Sequence, residues 1–241
     1  MTSKVSAMIF AAGLGTRLYP LTADKPKALV EINGKTLLQI AIEKITAEGI
    51  RHIVVNVHHF SDLMKNYIAT HSFDADVMIS DESDELLDTA GGLKQAESLL
   101  RDAEHILLYN VDILSNINLQ KLMDSHIRDN ALATLAVRER NTQRYFIFDE
   151  DSMQLCGWQN MKTGEKKMAR MASHEKLLAF SGIHVVNREI MNHIPPHQKM
   201  SMTPLYLQLA QNQSIRGYMH QDDSWCDVGK YEDWENKIWE K

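Results

Sequence analysis

The chain has 241 residues, a formal net charge of -6, 44% hydrophobic and 24% charged residues, and only 11 Gly and 5 Pro. That length suits one domain with a sizeable core, and the composition excludes disordered, collagen-like and low-complexity chains. The acidic balance, with no block of Lys or Arg, argues against a nucleic-acid face and for small partners.

The first segment, MTSKVSAMIFAAG, carries an apolar run too short for a signal-peptide core or a membrane span, so a cytoplasmic protein with no membrane contact is expected. Val5 to Phe10 reads as a buried strand. KTLLQIAIEKITAEGI reads as an amphipathic helix stopped by Gly49, and RHIVVNV as a second strand. Ser61 is placed to cap a helix over DLMKNYIATH, and DADVMIS follows as a third strand. Thr89 opens a helix, AGGLKQAESLLRD, before a fourth strand, HILLYNVD, that ends in an acid. A strand-rich middle follows with ATLAVRE, RYFIFDE, MQLCGWQN and LLAFSGIHVV. Helices near Arg188–Ile194 and Met202–Gln211, a strand at Ile215–Met219 and a helix after Gly229 complete the order. Strands alternating with helical periods predict an α/β fold. Cys156 and Cys226 have no metal-ligand spacing and read as reduced core residues.

In such folds ligands gather beyond the carboxyl ends of the strands, where glycine lets backbone N–H groups approach phosphate oxygens. Ala11, Ala12, Gly13, Leu14, Gly15 and Thr16 form that kind of loop directly after the first strand. Two familiar motifs fail. Leu18 stands where the dinucleotide fingerprint needs its third glycine, and Leu29 where a P-loop ending in Gly34-Lys35-Thr36 needs its first. Arg17 and Lys27 read either as solvated loop cations or as a fork and a compact charge for a polyphosphate; the upstream strand and glycines favour phosphate.

Together, Ala11-Ala12-Gly13, Gly15-Thr16-Arg17-Leu18, Pro20-Leu21-Thr22 and Pro26-Lys27 with Leu29 resemble the signature of the sugar-1-phosphate nucleotidylyltransferase family, and the resemblance extends over essentially the whole chain. It implies a single Rossmann-like nucleotidyltransferase domain over residues 1–241, with a mixed, mostly parallel sheet of about seven strands flanked by helices. It further implies a nucleoside triphosphate and a sugar 1-phosphate as partners and Mg²⁺ as cofactor. Arg17 and Lys27 take the catalytic positions, and Asp112 and Asp227, the latter in WCDVG, the metal positions; as isolated acids both also read as turn residues. The loop from Ala11 to Thr16, with Asp81, Thr89, Gly91 and Gly92, is implied to contact the nucleotide, although the glycine pair also reads as packing. Asn110, Ser181 and Gly182 are implied at the sugar. Asn110-Val111-Asp112 replaces the family's Gly-Asp, and the E-K-P stretch whose lysine holds the sugar phosphate in larger members is missing. Lys166, Lys167 and Arg170 are substitutes or simply a charged hairpin. The short form resembles members acting on N-acetylmuramate 1-phosphate with UTP; guanylyl transfer to mannose or heptose phosphate, cytidylyl transfer to choline phosphate and a non-catalytic nucleotide-sugar sensor stay as alternatives.

Overall fold

The computed structural model describes residues 4–231 and 234. β1 (Val5–Phe10) leads into a long connection containing two single 3-10 turns, Thr16–Leu18 and Lys27–Leu29. A small hairpin of β2 (Glu31–Ile32) and β3 (Lys35–Thr36) then delivers Thr36 as the cap of α1 (Leu37–Ala47), its hydroxyl accepting from the Gln39 N–H at 3.1 Å. Gly49, at φ 81, ends that helix as its position predicts. β4 (His52–Val57), α2 (Ser61–Thr70), β5 (Asp76–Asp81), α3 (Asp88–Gln95) and β6 (His105–Asn110) complete the alternating half. β7 (Ile113–Ser115), α4 (Leu119–Arg128), β8 (Ala133–Arg138), β9 (Arg144–Asp149), β10 (Leu155–Asn160) and β11 (Lys166–Met168) follow. β12 (Glu175–Asn187), a 3-10 segment at Arg188–His193, α5 (Met202–Leu209), β13 (Ile215–Met219) and β14 (Trp225–Asp227) come last. The helix expected after Gly229 lies largely outside the described residues.

Strands β5, β4, β1 and β6 run parallel, β12 joins antiparallel to β6, β8 antiparallel to β12, and β13 parallel to β8. The sheet is mixed as expected, and its parallel part is confined to β5, β4, β1 and β6 and to the β8–β13 pair, so the expectation of about seven mostly parallel strands is corrected. β12 is 13 residues long, and its first residues swing away to pair with β9, which continues into β10 and β11, so the sheet has ten strands among the described residues. Along β1 the side chains alternate: Ala7 and Ile9 pack with α1, α2 and α4, while Met8 and Phe10 pack with α3 and α5. Burial on both faces explains the uninterrupted apolar run.

Two local expectations are corrected, and one helix is added. Phe60, at φ 55, already turns the chain into α2, so Ser61 is its first helical residue and not its cap. α3 begins at Asp88 and stops at Gln95, shorter than the periodicity predicts. The N–H groups of Ala90 and Gly91 in its first turn are satisfied by the Met200 carbonyl at 2.8 and 3.1 Å, and Thr89, expected to open the helix, is its second residue. α4 was not anticipated, although Asn118, whose side chain caps it, precedes apolar residues at Leu119, Leu122 and Met123.

Buried histidines make the fold acid-sensitive. Burial pushes His126 and His184 down to about 3 and His220 to about 4; each ring nonetheless holds one partner, Thr134, Tyr206 and Ser181 respectively. Because the folded values lie below the unfolded value near 6.5, the unfolded state binds more protons as pH falls through that range. Stability is therefore fully present above about pH 6.5 and declines by about 1.4 kcal/mol per pH unit for each histidine until the folded pKa is reached. Urea unfolding at pH 7, 6 and 5 is expected to give a falling midpoint; an unchanged midpoint would contradict the assignment.

Candidate active site

The parallel register aligns the ends of three strands: Phe10 lies beside Asn56 of β4 and Asn110 of β6. Beyond this edge opens a cleft of about 500 Å³ lined by the glycine loop, Lys27, Asn56, Asp88, Thr89, Asn110, Asp112 and Lys199. Ala12, Gly13, Leu14, Gly15, Thr16 and Arg17 all face it. Gly13 has open space where a Cβ would sit, which leaves its backbone approachable. Gly15 does a different job. At φ 65 it bends the loop, its carbonyl accepts from the Thr22 hydroxyl at 3.0 Å, and a Cβ there would press on Thr22 and Lys27 at 3.1 and 3.2 Å. The Gly15-to-Lys27 distance in sequence is thus closed by direct packing.

Ala11 lies underneath. Its N–H and that of Ala12 donate to Asn56 Oδ1 at 2.7 and 3.3 Å, and Asn56 Nδ2 donates to Glu82 Oε1 at 2.7 Å. Glu82 is buried, also accepts from the Leu87 N–H at 3.1 Å, and burial raises its pKa. This network ties the root of the loop to β4 and to the start of α3. Asn56 was legible as the polar residue in an apolar strand; Glu82 carried no signal in the sequence.

The carboxylates come from two distant segments. Asp112 sits in the turn between β6 and β7, and β7 pairs with β14 so that Ile113 opposes Asp227; the Val228 N–H then donates to the Asp112 carbonyl at 3.0 Å. Both acids consequently meet at Gly229, where an added Cβ would lie 2.6 Å from Asp112 Oδ2, 2.8 Å from Asp227 Oδ1 and 3.2 Å from an Arg17 guanidinium nitrogen. Lys27 Nζ donates to Asp112 Oδ2 at 2.7 Å. Burial, and then the neighbouring charge of Asp112, raise the Asp227 pKa, opposed by the Gly229 N–H at 2.9 Å and by the charges of Arg17 and Lys27. Two carboxylates that repel one another beside this cleft fit a Mg²⁺ ion, which takes one or two carboxylates and completes its octahedron with phosphate oxygens and water. No third His, Cys, Asp or Glu joins them among the described residues.

The other expected residues divide between the cleft and the protein interior or surface. Thr89 and Asn110 line the cleft. Asp81 does not: its carboxylate pairs with Lys65 at 2.6 Å and accepts from Ser83, which holds its pKa down at about 2. Gly91 and Gly92 are buried against protein, since a Cβ would meet the Gln198 carbonyl or the Glu82 carboxylate at 2.5 Å, so close packing explains the pair. The Ser181 hydroxyl is buried against His220 Nε2 at 2.7 Å, and Gly182, at φ 75, packs on Ile113 and Asn110. Lys166 and Lys167 pair with Glu175 and Glu165 at 2.7 and 2.9 Å, and Arg170 bonds the carbonyls of Ala210 and Gln213. Lys199, by contrast, reaches the cleft from the loop before α5, a placement that no local motif announced.

Gly229→Ala tests the convergence without altering any charge. Forcing apart two carboxylates that must hold one geometry is expected to lower turnover on the order of 10²-fold while thermal unfolding stays near that of the parent. Steady-state rates and a melting curve on the same preparation check it.

The family described as Nucleotidyl transferase matches residues 6–238 of the chain. An N-acetylmuramate alpha-1-phosphate uridylyltransferase from Caulobacter vibrioides is 41% identical over 109 residues, covering 44% of this chain and 45% of the relative. A mannose-1-phosphate guanylyltransferase catalytic subunit beta from Dictyostelium discoideum is 27% identical over 233 residues, 95% of this chain and 62% of the relative. The chain thus spans less than two thirds of the length of either relative. The crystal structure of HddC from Yersinia pseudotuberculosis complexed with GMP-PN shares the fold with TM-score 0.76 at 21% identity, covering 98% of this chain and 99% of that one. No helix among the described residues is long and apolar enough to cross a membrane.

Proposed function

The chain belongs to the nucleotidyl transferase family, and from that premise we propose that it joins a nucleoside triphosphate to a sugar 1-phosphate within a single domain over residues 1–241. A phosphate oxygen of the sugar 1-phosphate attacks the α-phosphorus; the bond from that phosphorus to the bridging oxygen of pyrophosphate breaks, and pyrophosphate leaves with the bond pair. The observation that carries this reading is the meeting of Asp112 and Asp227 at Gly229, beside Lys27 and Arg17 at the mouth of a glycine loop.

The backbone from Ala12 to Thr16 cradles the triphosphate, and Arg17 and Lys27 neutralise it. A Mg²⁺ ion held by Asp112 and Asp227 would supply further charge neutralisation at the α-phosphate. Asn110 then bounds the sugar side, with Ser181 and Gly182 packed behind it, and Thr89 and Lys199 bound the nucleotide side. No covalent intermediate is needed, so positioning and charge stabilisation account for catalysis.

Uridylyl transfer to N-acetylmuramate 1-phosphate is the leading substrate assignment, supported by the 41% identity to the Caulobacter relative. Guanylyl transfer to mannose 1-phosphate is second, supported by the relative that aligns with 95% of the chain. A matrix of four nucleoside triphosphates against several sugar 1-phosphates, with and without Mg²⁺ and read by pyrophosphate release, tests both. Release that requires one pair and the metal is expected. Nucleotide binding without product in every cell of the matrix would instead favour a sensor.

A further inference from the structure

With no E-K-P lysine, and with Lys166, Lys167 and Arg170 committed to other partners, the sugar phosphate needs a cation from elsewhere. We propose that Arg140 is that cation and grips the phosphate of the sugar 1-phosphate beside the paired carboxylates. The inference rests on the transferase reading given above.

Arg140 lies two residues past the end of β8, whose last residue Arg138 pairs with Ala179 just where β12 passes from β9 to β8. Its Nη2 donates to the Phe180 carbonyl at 3.1 Å, and its guanidinium lies over the Trp225 ring, 4.4 Å from the centroid. Trp225 is itself fixed by an Nε1–H bond to the Ser181 carbonyl at 2.8 Å. In β14, residues 225 and 227 share one face because strand side chains alternate. The ring that carries Arg140 therefore stands on the same face as the Asp227 carboxylate, and the attraction of Asp227 partly offsets the burial that pulls the guanidinium pKa down.

The guanidinium is incompletely satisfied. Its Nε is buried and meets no acceptor among the described residues, and no carboxylate lies within ion-pair distance of it there. A buried donor left unpaired on a cation is costly unless a ligand completes it. Stacking on Trp225 holds the planar fork in one orientation, which suits two oxygens of one phosphate. Arg138 offers no such vacancy, since it donates to the carbonyls of Asp223 and Gln221 at 3.2 and 3.4 Å. Arg17 and Lys27 approach the carboxylates from the glycine loop, whereas Arg140 approaches from β8 and β14. The acceptor phosphate must lie next to the α-phosphorus, so a cation on this second side is where its charge would be met.

The test uses the full chain with Arg140→Met and Arg140→Lys, both checked for a parental melting curve. With the nucleotide and sugar 1-phosphate that the substrate matrix selects, Arg140→Met is expected to raise the KM for sugar 1-phosphate on the order of 10- to 100-fold. The KM for the nucleoside triphosphate should move less than about twofold, and Arg140→Lys should recover part of the loss. Equal rises in both KM values, or no change in either, would overturn the proposal. If the parent protein turns over no pair, the transferase reading fails separately. Calorimetric titration of inorganic phosphate onto the nucleotide-saturated protein then decides for Arg140: binding lost in Arg140→Met supports it, and binding unchanged refutes it.

Discussion

Lys27→Ala is expected to lower kcat on the order of 10²- to 10³-fold, the loss found when a preorganised donor to developing charge is removed. Lys27 is held by two independent constraints: the 3-10 turn at Lys27–Leu29 and the ion pair with Asp112 at 2.7 Å. Its charge is therefore in position before any phosphate arrives, and removing it withdraws stabilisation that water cannot replace at no reorganisation cost. The substitution also leaves Asp112 facing Asp227 with one cation fewer, so the pKa of Asp227 should rise further and the optimum for activity should move to higher pH. Pyrophosphate release measured across pH, with nucleotide binding measured in parallel, checks both. Near-normal release would remove Lys27 from the proposed mechanism.

Asp112→Asn and Asp227→Asn are each expected to reduce kcat/KM on the order of 10²-fold or more and to raise the Mg²⁺ concentration for half-maximal activity. A metal contributes several kcal/mol of charge stabilisation, and each 1.36 kcal/mol is tenfold in rate. The two variants should differ in one respect. Asp112→Asn frees Lys27 from its ion pair, whereas Asp227→Asn removes the group whose ionised form burial and Asp112 disfavour. The loss from Asp112→Asn combined with Lys27→Ala should consequently be smaller than the sum of the single losses, because the pair acts as a unit. Additive losses, or activity independent of Mg²⁺ in all variants, would contradict a shared metal site.

Much of the fold was legible because its information is local. β1, β4, β5 and β6 are apolar runs of strand length, and α1 announces itself through period and the Gly49 stop. Where local signals failed, a distant group had taken over the work. The Met200 carbonyl takes the Ala90 and Gly91 N–H groups in the first turn of α3, which opens one residue before Thr89. Gly91 and Gly92 looked like ligand contacts because glycine permits close approach, but the atoms that approach belong to Gln198 and Glu82. Sequence shows that a side chain must be absent; it does not show what fills the space.

The loop from Ala11 to Arg17, with Lys27 beyond it, was determined by the sequence alone. Its glycines, Arg17 and preceding strand are contiguous, and the proposed phosphate cradle would draw on consecutive backbone N–H groups. Tertiary structure alone decided that Asp112 and Asp227 converge, that Asn56 and Glu82 anchor the loop root, and that Arg140 lies on Trp225 with its Nε unpaired. Those relations depend on the register of β7 against β14 and on where β12 bends from one set of partners to another. Strand register is set by packing across the sheet, so residues far apart in the chain acquire a common chemistry only when the sheet forms.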